Sequence, residues 1–325
     1  MIVKPQIAFR NGIAPLQRTL FVDTDVGFDD ILAISLLNSS TSTTTVPCIS
    51  TVGGVLACPI KAANFLEIMT PSNTLIIPGK SQVEKEMTPP SWMTNTRNAL
   101  DQIVIESSSK SSQKETTSDS TITKKKIPEL LLQYPDNSVD LLCLGPLSNL
   151  ASWVDEDLLV LERKLNEIWI MGGNLSNAKQ QEAEFNFSQD PKATWKVLNC
   201  SQLKEKLYIV SAQTCEVSLS QAHQQQWERL TETAKRTDSV LSRVLEVNST
   251  FGALKYDTLC AFSYANSDFG SLQKIECSVD EETGLLAFPC ESNANLINFA
   301  TDIDVDLFFD WLETSIIHNG STATN

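Results

Sequence analysis

The stretch Asp23-Thr24-Asp25-Val26-Gly27-Phe28-Asp29-Asp30 places four carboxylates within eight residues. An apolar run, Leu20-Phe21-Val22, leads into it, and a helical pattern of Ile31, Leu32, Ile34, Leu36 and Leu37 follows. One turn therefore has to end a buried strand, hold crowded like charges and start a helix. In open α/β sheets the carboxyl end of a strand is where ligands bind. Crowded carboxylates repel, so they are either solvated or gathered around a cation. An all-oxygen donor set suits a hard cation such as Ca²⁺. Asp25 and Asp30 are placed to share one site, and a carboxylate at the helix start is favoured by the helix dipole. The alternative is a solvated acidic turn that only caps the helix.

The rest of the chain alternates strand-like and helix-like segments. Residues 45–52 read as a strand ending at Gly53-Gly54, 61–69 as a helix and 74–77 as a strand. Residues 140–144 form a short apolar strand ending at Gly145-Pro146, followed by a helix over 147–153. Strands follow at 167–171, before Gly172-Gly173, and at 207–211. The stretch 220–264 is largely helical, and strand-like pieces at 273–279, 284–288 and 295–303 precede a last helix around 307–312. Such alternation predicts a single α/β domain, with a mostly parallel central sheet flanked by helices in an open arrangement. Its expected limits are 19–316, between an N-terminal extension (1–18) and a C-terminal tail (317–325). The Ser, Thr and Lys-rich segment 105–126 reads as a disordered polar insertion within the domain.

A formal charge of −15 and a pI near 4.6 exclude a nucleic-acid partner, since phosphate contacts need a basic face, and an anionic membrane surface as well. Without a signal-peptide apolar region or a run of the ~20 apolar residues a membrane span needs, the chain is expected to be cytoplasmic. The first 18 residues carry Lys4, Arg10 and Arg18 with no acid, which fits either a short extension or a weak targeting segment. The eight scattered cysteines contain no CxxC pair, so buried free thiols are expected rather than disulfides or zinc.

Other constellations are weaker one by one. Glu184-Phe185-Asn186 offers hydroxyl-binding groups beside an apolar wall, which suits a sugar, and Asp190-Pro191 is an ordinary helix start. Asp257 opens an apolar helical turn and Gly145-Pro146-Leu147-Ser148-Asn149 is a strand-to-helix turn. Asp302-Ile303-Asp304-Val305-Asp306 imitates a calcium loop, but Leu307 stands where its sharp turn needs glycine, so a strand running into a helix is expected. The two histidines, His223 and His318, lie in polar surroundings, which disfavours serine or cysteine nucleophile schemes. Asp23-Thr24-Asp25 also fits the DxD of a haloacid dehalogenase-type phosphatase, but no Gly-Asp metal motif follows.

In order, these pieces resemble the inosine–uridine-preferring nucleoside hydrolase family from about residue 19 to 312. Asp23–Asp30 is similar to its DTDxGxDD fingerprint, and Thr51-Val52-Gly53-Gly54 to its second-strand loop. Leu144-Gly145-Pro146-Leu147-Ser148-Asn149-Leu150 resembles its GPLTNL-like turn. Met171-Gly172-Gly173, Ala183-Glu184-Phe185-Asn186 and Asp190-Pro191 resemble its MGG, AEFN and DP block. Asp257 resembles the Asp of its HDPL-like motif. The resemblance implies Ca²⁺ held by Asp25, Asp30, Asp257 and the Leu144 carbonyl, with Asp25 as general base for a water. It implies ribose contacts from Asp29, Asn177, Glu184 and Asn186, leaving Asp23 as structural support. It also implies a role in purine or pyrimidine salvage and assembly as a homo-dimer or homo-tetramer.

Three departures mark the leaving-group side. Tyr256 stands where many members have the His that protonates the departing base, and a phenol, with a pKa of about 10, is a poorer acid. Val55 replaces a ribose-binding Asn, and residues 87–98 replace a His-Gly segment. The expected activity is Ca²⁺-dependent hydrolysis of a ribonucleoside, or a related ribosyl compound, to ribose and free base, with Asp25 and Tyr256 as catalytic residues. The alternative is a catalytically impaired relative that binds a metal and a ribosyl ligand or a partner.

Overall fold

Apolar runs that end in glycine or a polar turn become parallel strands. The computed structural model describes residues 18–39, 43–81, 89–110, 122, 125–175, 182–236, 240–288 and 295–321. The strands are β1 (Arg18–Thr24), β2 (Thr44–Thr51), β3 (Leu75–Pro78), β4 (Val139–Cys143), β5 (Leu165–Met171), β6 (Leu207–Val210), β7 (Gly270–Val279), β8 (Leu286–Ala287) and β9 (Asn295–Ile303). The helices of the first half are α1 (Phe28–Leu37), α2 (Pro59–Met69), α3 (Ser91–Lys110), α4 (Ile127–Leu131) and α5 (Ser148–Lys164). Those of the second are α6 (Phe185–Gln189), α7 (Pro191–Leu198), α8 (Gln221–Lys235), α9 (Val240–Val247), α10 (Phe251–Leu254), α11 (Tyr256–Ala265) and α12 (Val305–Ser321).

Among the described residues the strands form one sheet in the order β3-β2-β1-β4-β5-β6-β9-β7-β8. All neighbours from β3 to β9 run parallel, and the two pairings of β7, with β9 and with β8, are antiparallel. β1 is apolar throughout its middle because both faces of the sheet are covered. Leu20 and Val22 belong to the core on one face and Phe21 to the core on the other. The chain leaves β1 for β2 and β3 on one side, then returns to place β4 on the other. The order thus reverses between β1 and β4, and the crevice beyond their carboxyl ends is the predicted place for a ligand.

The expected domain limits shift. Arg18, assigned to the N-terminal extension, is the first residue of β1. Its guanidinium donates to Asp140 (3.1 Å), Glu167 (3.0 Å) and the Tyr264 carbonyl (2.9 Å), tying β1, β4 and β5 together at their amino ends. At the other end α12 runs on to Ser321, past the expected limit at 316. Residues 105–110 of the supposed insertion continue α3, while 111–121, 123 and 124 lie outside the described residues, as do 1–17 and 322–325. The described cysteines are free thiols, buried except Cys58. The acidic segment at 302–306 is the end of β9 and the start of α12, with Asp304 accepting from Leu307 N (2.9 Å). Among the described residues no helix is long and apolar enough to cross a membrane.

Candidate active site

Three strand-to-helix turns and one helix start converge beyond β1 and β4. After β1 the chain bends at Val26, whose φ of 61° is rare for a β-branched residue, and then enters α1. Such backbone is retained only where its surroundings hold it, and it concentrates at functional sites. Val26 N donates to Thr24 Oγ1 (3.1 Å), and Gly27 N donates to Asp30 Oδ2 (2.8 Å), so Asp30 reaches back over its own helix start. Thr24 Oγ1 donates to the other oxygen of Asp30.

Asp25 is buried, and its Oδ2 accepts from Val55 N (2.7 Å) in the loop after β2. A β-carbon on Gly54 would lie 2.0 Å from that oxygen, so the loop can approach only because residue 54 is glycine. Arg97 of α3 donates to the carbonyls of Val55 and Gly54, clamping the loop from outside. Asp257, second residue of α11, is buried, and its Oδ1 has no hydrogen-bond partner. Asp29 is half-buried, with Oδ2 accepting from Asp257 N at 3.4 Å.

One carboxylate oxygen from each of Asp29, Asp30 and Asp257 lies within 4.8 Å of the others. The charge of Asp30 also acts on Asp25. Burial, followed by the charge of neighbouring aspartates, holds Asp25 and Asp257 well above the usual carboxylate range and raises Asp29 to about 7. An orphaned oxygen among mutually repelling carboxylates fits a hard divalent cation. Asp29 joins Asp30 and Asp257 in that cluster, whereas the expected ligand set had Asp25 in its place.

The other expected residues reach the same cavity, of about 690 Å³. Asn186 is buried and donates through Nδ2 to the carbonyls of Leu144 (3.0 Å) and Met171 (3.2 Å), bridging the ends of β4 and β5. The Leu144 carbonyl, an expected metal ligand, is thus already an acceptor, with one lone pair left. Glu184 caps α6: its carboxylate accepts from Asn186 N (2.9 Å), Phe187 N (3.1 Å) and Gly173 N (3.1 Å). Glu184 also lines the cavity. Burial outweighs the backbone amides and raises Glu184 to about 7. Asn177 lies outside the described residues, but Asn174 lines the cavity, with its Oδ1 accepting from Gln213 Nε2 (2.9 Å).

Tyr256 also lines the cavity, but its hydroxyl donates to Glu216 Oε1 (2.7 Å). Burial, then that hydrogen bond, raises its pKa above the ordinary phenol value. Asp23 stays out of the cavity lining. Its Oδ1 accepts from Ser50 Oγ (2.6 Å) and Asn149 Nδ2 (2.7 Å), and burial raises it to about 7.

The apolar wall that the sequence places beside Glu184 through Phe185 is wider in the structure. Phe28, Trp92, Phe185 and Val247 line the cavity, and the rings of Trp92 and Phe185 meet edge-on at 5.4 Å. Trp92, Asn95 and Thr96 come from α3, inside the segment that matched no known motif. Of the tryptophans able to stack on a base, Trp92 lines the cavity, whereas Trp169, between Ile168 and Ile170, is core: it is 4 % exposed and stacks on Tyr208.

The chain matches the family described as inosine-uridine preferring nucleoside hydrolase over residues 20–310. It belongs to that family. Its members are N-glycosidases, and the chain is a nucleoside hydrolase by descent and by fold. Solved structures agree on the fold. An inosine-uridine preferring nucleoside hydrolase from Bacillus anthracis superimposes with a TM-score of 0.68 at 19% identity, over 92% of this chain and 99% of that one. A plant nucleoside hydrolase gives 0.70 at 17% identity, over 92% and 99%. A purine-preferring ribonucleoside hydrolase from Gardnerella vaginalis gives 0.70 at 16% identity, over 94% and 100%. No curated protein matches the sequence.

Proposed function

We propose that this nucleoside hydrolase cleaves the N-glycosidic bond of a ribonucleoside in a Ca²⁺-dependent reaction with Asp25 as general base. The observation that carries the reading is the convergence of Asp25, Asp29, Asp30 and Asp257 on one cavity at the point where strand order reverses. Asp30 and Asp257, with Asp29 or Asp25 and the Leu144 carbonyl, would hold the cation. A bound cation supplies positive charge that lowers the pKa of a water and anchors vicinal hydroxyls.

The chain's own residues do the rest. Asp25, held by Val55 N, is oriented to accept a proton from the attacking water. Asp29, Glu184 and Asn186 orient the ribose hydroxyls. Cleavage builds positive charge on C1′ and the ring oxygen, and buried carboxylates stabilise that charge. The base lies against Phe28, Trp92 and Phe185, an apolar surface suited to a flat ring. The reading includes a homo-dimer or homo-tetramer serving nucleoside salvage in the cytoplasm.

The test is ribose release from a panel of purine and pyrimidine ribonucleosides by metal-loaded protein. Activity is expected to disappear on chelation, return with Ca²⁺ and be absent in Asp25→Ala. The engaged hydroxyl of Tyr256 favours a second reading, a binder without turnover. Calorimetric ribonucleoside binding with no ribose released across the panel would select it.

A further inference from the structure

The aspartate cluster leaves unexplained the residue beside Asp257. Tyr256 lines the cavity, yet its hydroxyl donates at 2.7 Å to a carboxylate that does not. Glu216 sits in the loop after β6, with a side chain 58% exposed. Its second oxygen lies 2.5 Å from Lys255 Nζ, whose own side chain is only 10% exposed. Lys255 Nζ is also 5.0 Å from the centroid of the Tyr256 ring. The same loop touches the Tyr256 backbone, where Cys215 Sγ meets its carbonyl at 3.7 Å. A phenol has one proton to donate. Turning it toward a ligand would break a hydrogen bond to a charged acceptor, the stronger kind.

We propose that Glu216 is a positioning residue for Tyr256, keeping the hydroxyl turned away from the cavity so that the group leaving C1′ meets the ring and not an acidic proton. The proposal rests on the nucleoside-hydrolysing reading. In this arrangement the C1′–N bond breaks with its electron pair going to the base nitrogen. A water oxygen bonds to C1′, Asp25 accepts one proton of that water, and the base takes a proton from solvent. Asp25 then returns its proton to solvent, and Tyr256 keeps its own throughout. Gly252, exposed at the cavity rim with no atom within 4 Å of where a side chain would begin, leaves solvent a way in.

The experiment compares Tyr256→Phe, Tyr256→Ala, Glu216→Gln and Glu216→Ala in the full chain with Ca²⁺, after melting curves establish that each is folded. Tyr256→Phe is expected to lower kcat by only a few-fold, because the ring remains. Glu216→Ala is expected to raise KM about tenfold with kcat changed far less, and Glu216→Gln, which still accepts from the phenol, to recover most of that loss. Tyr256→Ala should raise KM further. A fall in kcat of a hundredfold or more in Tyr256→Phe, the size of a lost general acid, overturns the proposal. A KM unchanged in Glu216→Ala overturns it as well. Calorimetry with inosine and with free ribose separates this from the parent reading. If the wild-type protein binds inosine without hydrolysing it, the hydrolytic reading fails alone. Weaker inosine binding but unchanged ribose binding in Glu216→Ala still supports the positioning role, and equal inosine binding removes it. If the wild-type protein binds no inosine, both fall.

Discussion

Asp25 carries two conflicting demands: it is buried beside other carboxylates, and it must be ionised to take a proton from water. The Val55 amide opposes the conflict but does not cancel it, since burial and Asp30 still raise its pKa. Asp25→Asn should therefore separate function from stability. The amide oxygen can still accept from Val55 N, while one source of repulsion is gone. Ribose release is expected to fall by at least about a hundredfold, the size of a lost general base. The metal-free protein should melt at a higher temperature than wild type. Gly54→Ala tests the same carboxylate from the loop side. Its β-carbon would fall 2.0 Å from Asp25 Oδ2, so either the loop or the carboxylate must move. A shift of about 1 Å in a catalytic group can cost about a hundredfold in rate. Overpacking should cost about 1–3 kcal/mol in urea denaturation. Wild-type kinetics in that variant would mean that the approach of loop to carboxylate is not needed.

The turns beyond β1, β2 and β4 are coupled by Asn149, near the start of α5. Its Nδ2 donates to Asp23 Oδ1 (2.7 Å) and the Thr51 carbonyl (3.0 Å), and its Oδ1 accepts from Lys80 N (2.7 Å). Asn149→Ala would leave several buried polar groups unpaired, at about 1–3 kcal/mol each. Urea denaturation should show a loss of about 3 kcal/mol, with KM changed little because Asn149 is not in the cavity lining. A loss below about 1 kcal/mol would remove Asn149 as the link between turns. The role of this residue was legible only as part of a turn, because its partners are 69 to 126 positions away. The parallel strands of the centre were legible for the opposite reason: β1, β4, β5 and β6 are short apolar runs closed by Gly or a polar turn, which local sequence records. Asp25, Asp30, Glu184 and Asn186, singled out in short polar motifs beside apolar runs, do come together at one cavity. Of the far wall, Trp92 was legible only as a ring able to stack on a base, and the approach of its helix was not legible at all. Trp92 comes from α3 and Val247 from α9, helices whose sequences are ordinary and whose approach to the cavity depends on the way they pack. Glu184 was legible as a polar group in the site, but its duty as cap of α6 shows only when Phe187 N and Gly173 N are found on its oxygens.

The whole chain is acidic, at −15, and its most crowded acids are buried in one cavity, so proton and cation uptake should govern its stability together. Asp23, Asp29 and Glu184 are raised from 3.8, 3.8 and 4.5 to about 7, and Asp25 and Asp257 are raised as well. Between about pH 4 and 7 the folded state therefore binds more protons than the unfolded one. Stability follows the unfolded minus the folded proton count, so it must fall as pH rises through that window. The metal-free protein is expected to melt at a higher temperature at pH 5 than at pH 8. A cation competes with those protons, so Ca²⁺ should raise the melting temperature strongly at pH 8 and little at pH 5. At a hundred times its dissociation constant it would add about 2.7 kcal/mol. General repulsion from a net charge of −15 would also ease in acid, but it has no preference for this cavity. Asp257→Asn separates the two causes. It changes the net charge by one while removing the carboxylate whose Oδ1 has no partner, so it should flatten the metal-free pH dependence and abolish most of the Ca²⁺ effect at pH 8. An unchanged slope with a full Ca²⁺ response in that variant would place the titrating groups and the cation elsewhere on the molecule.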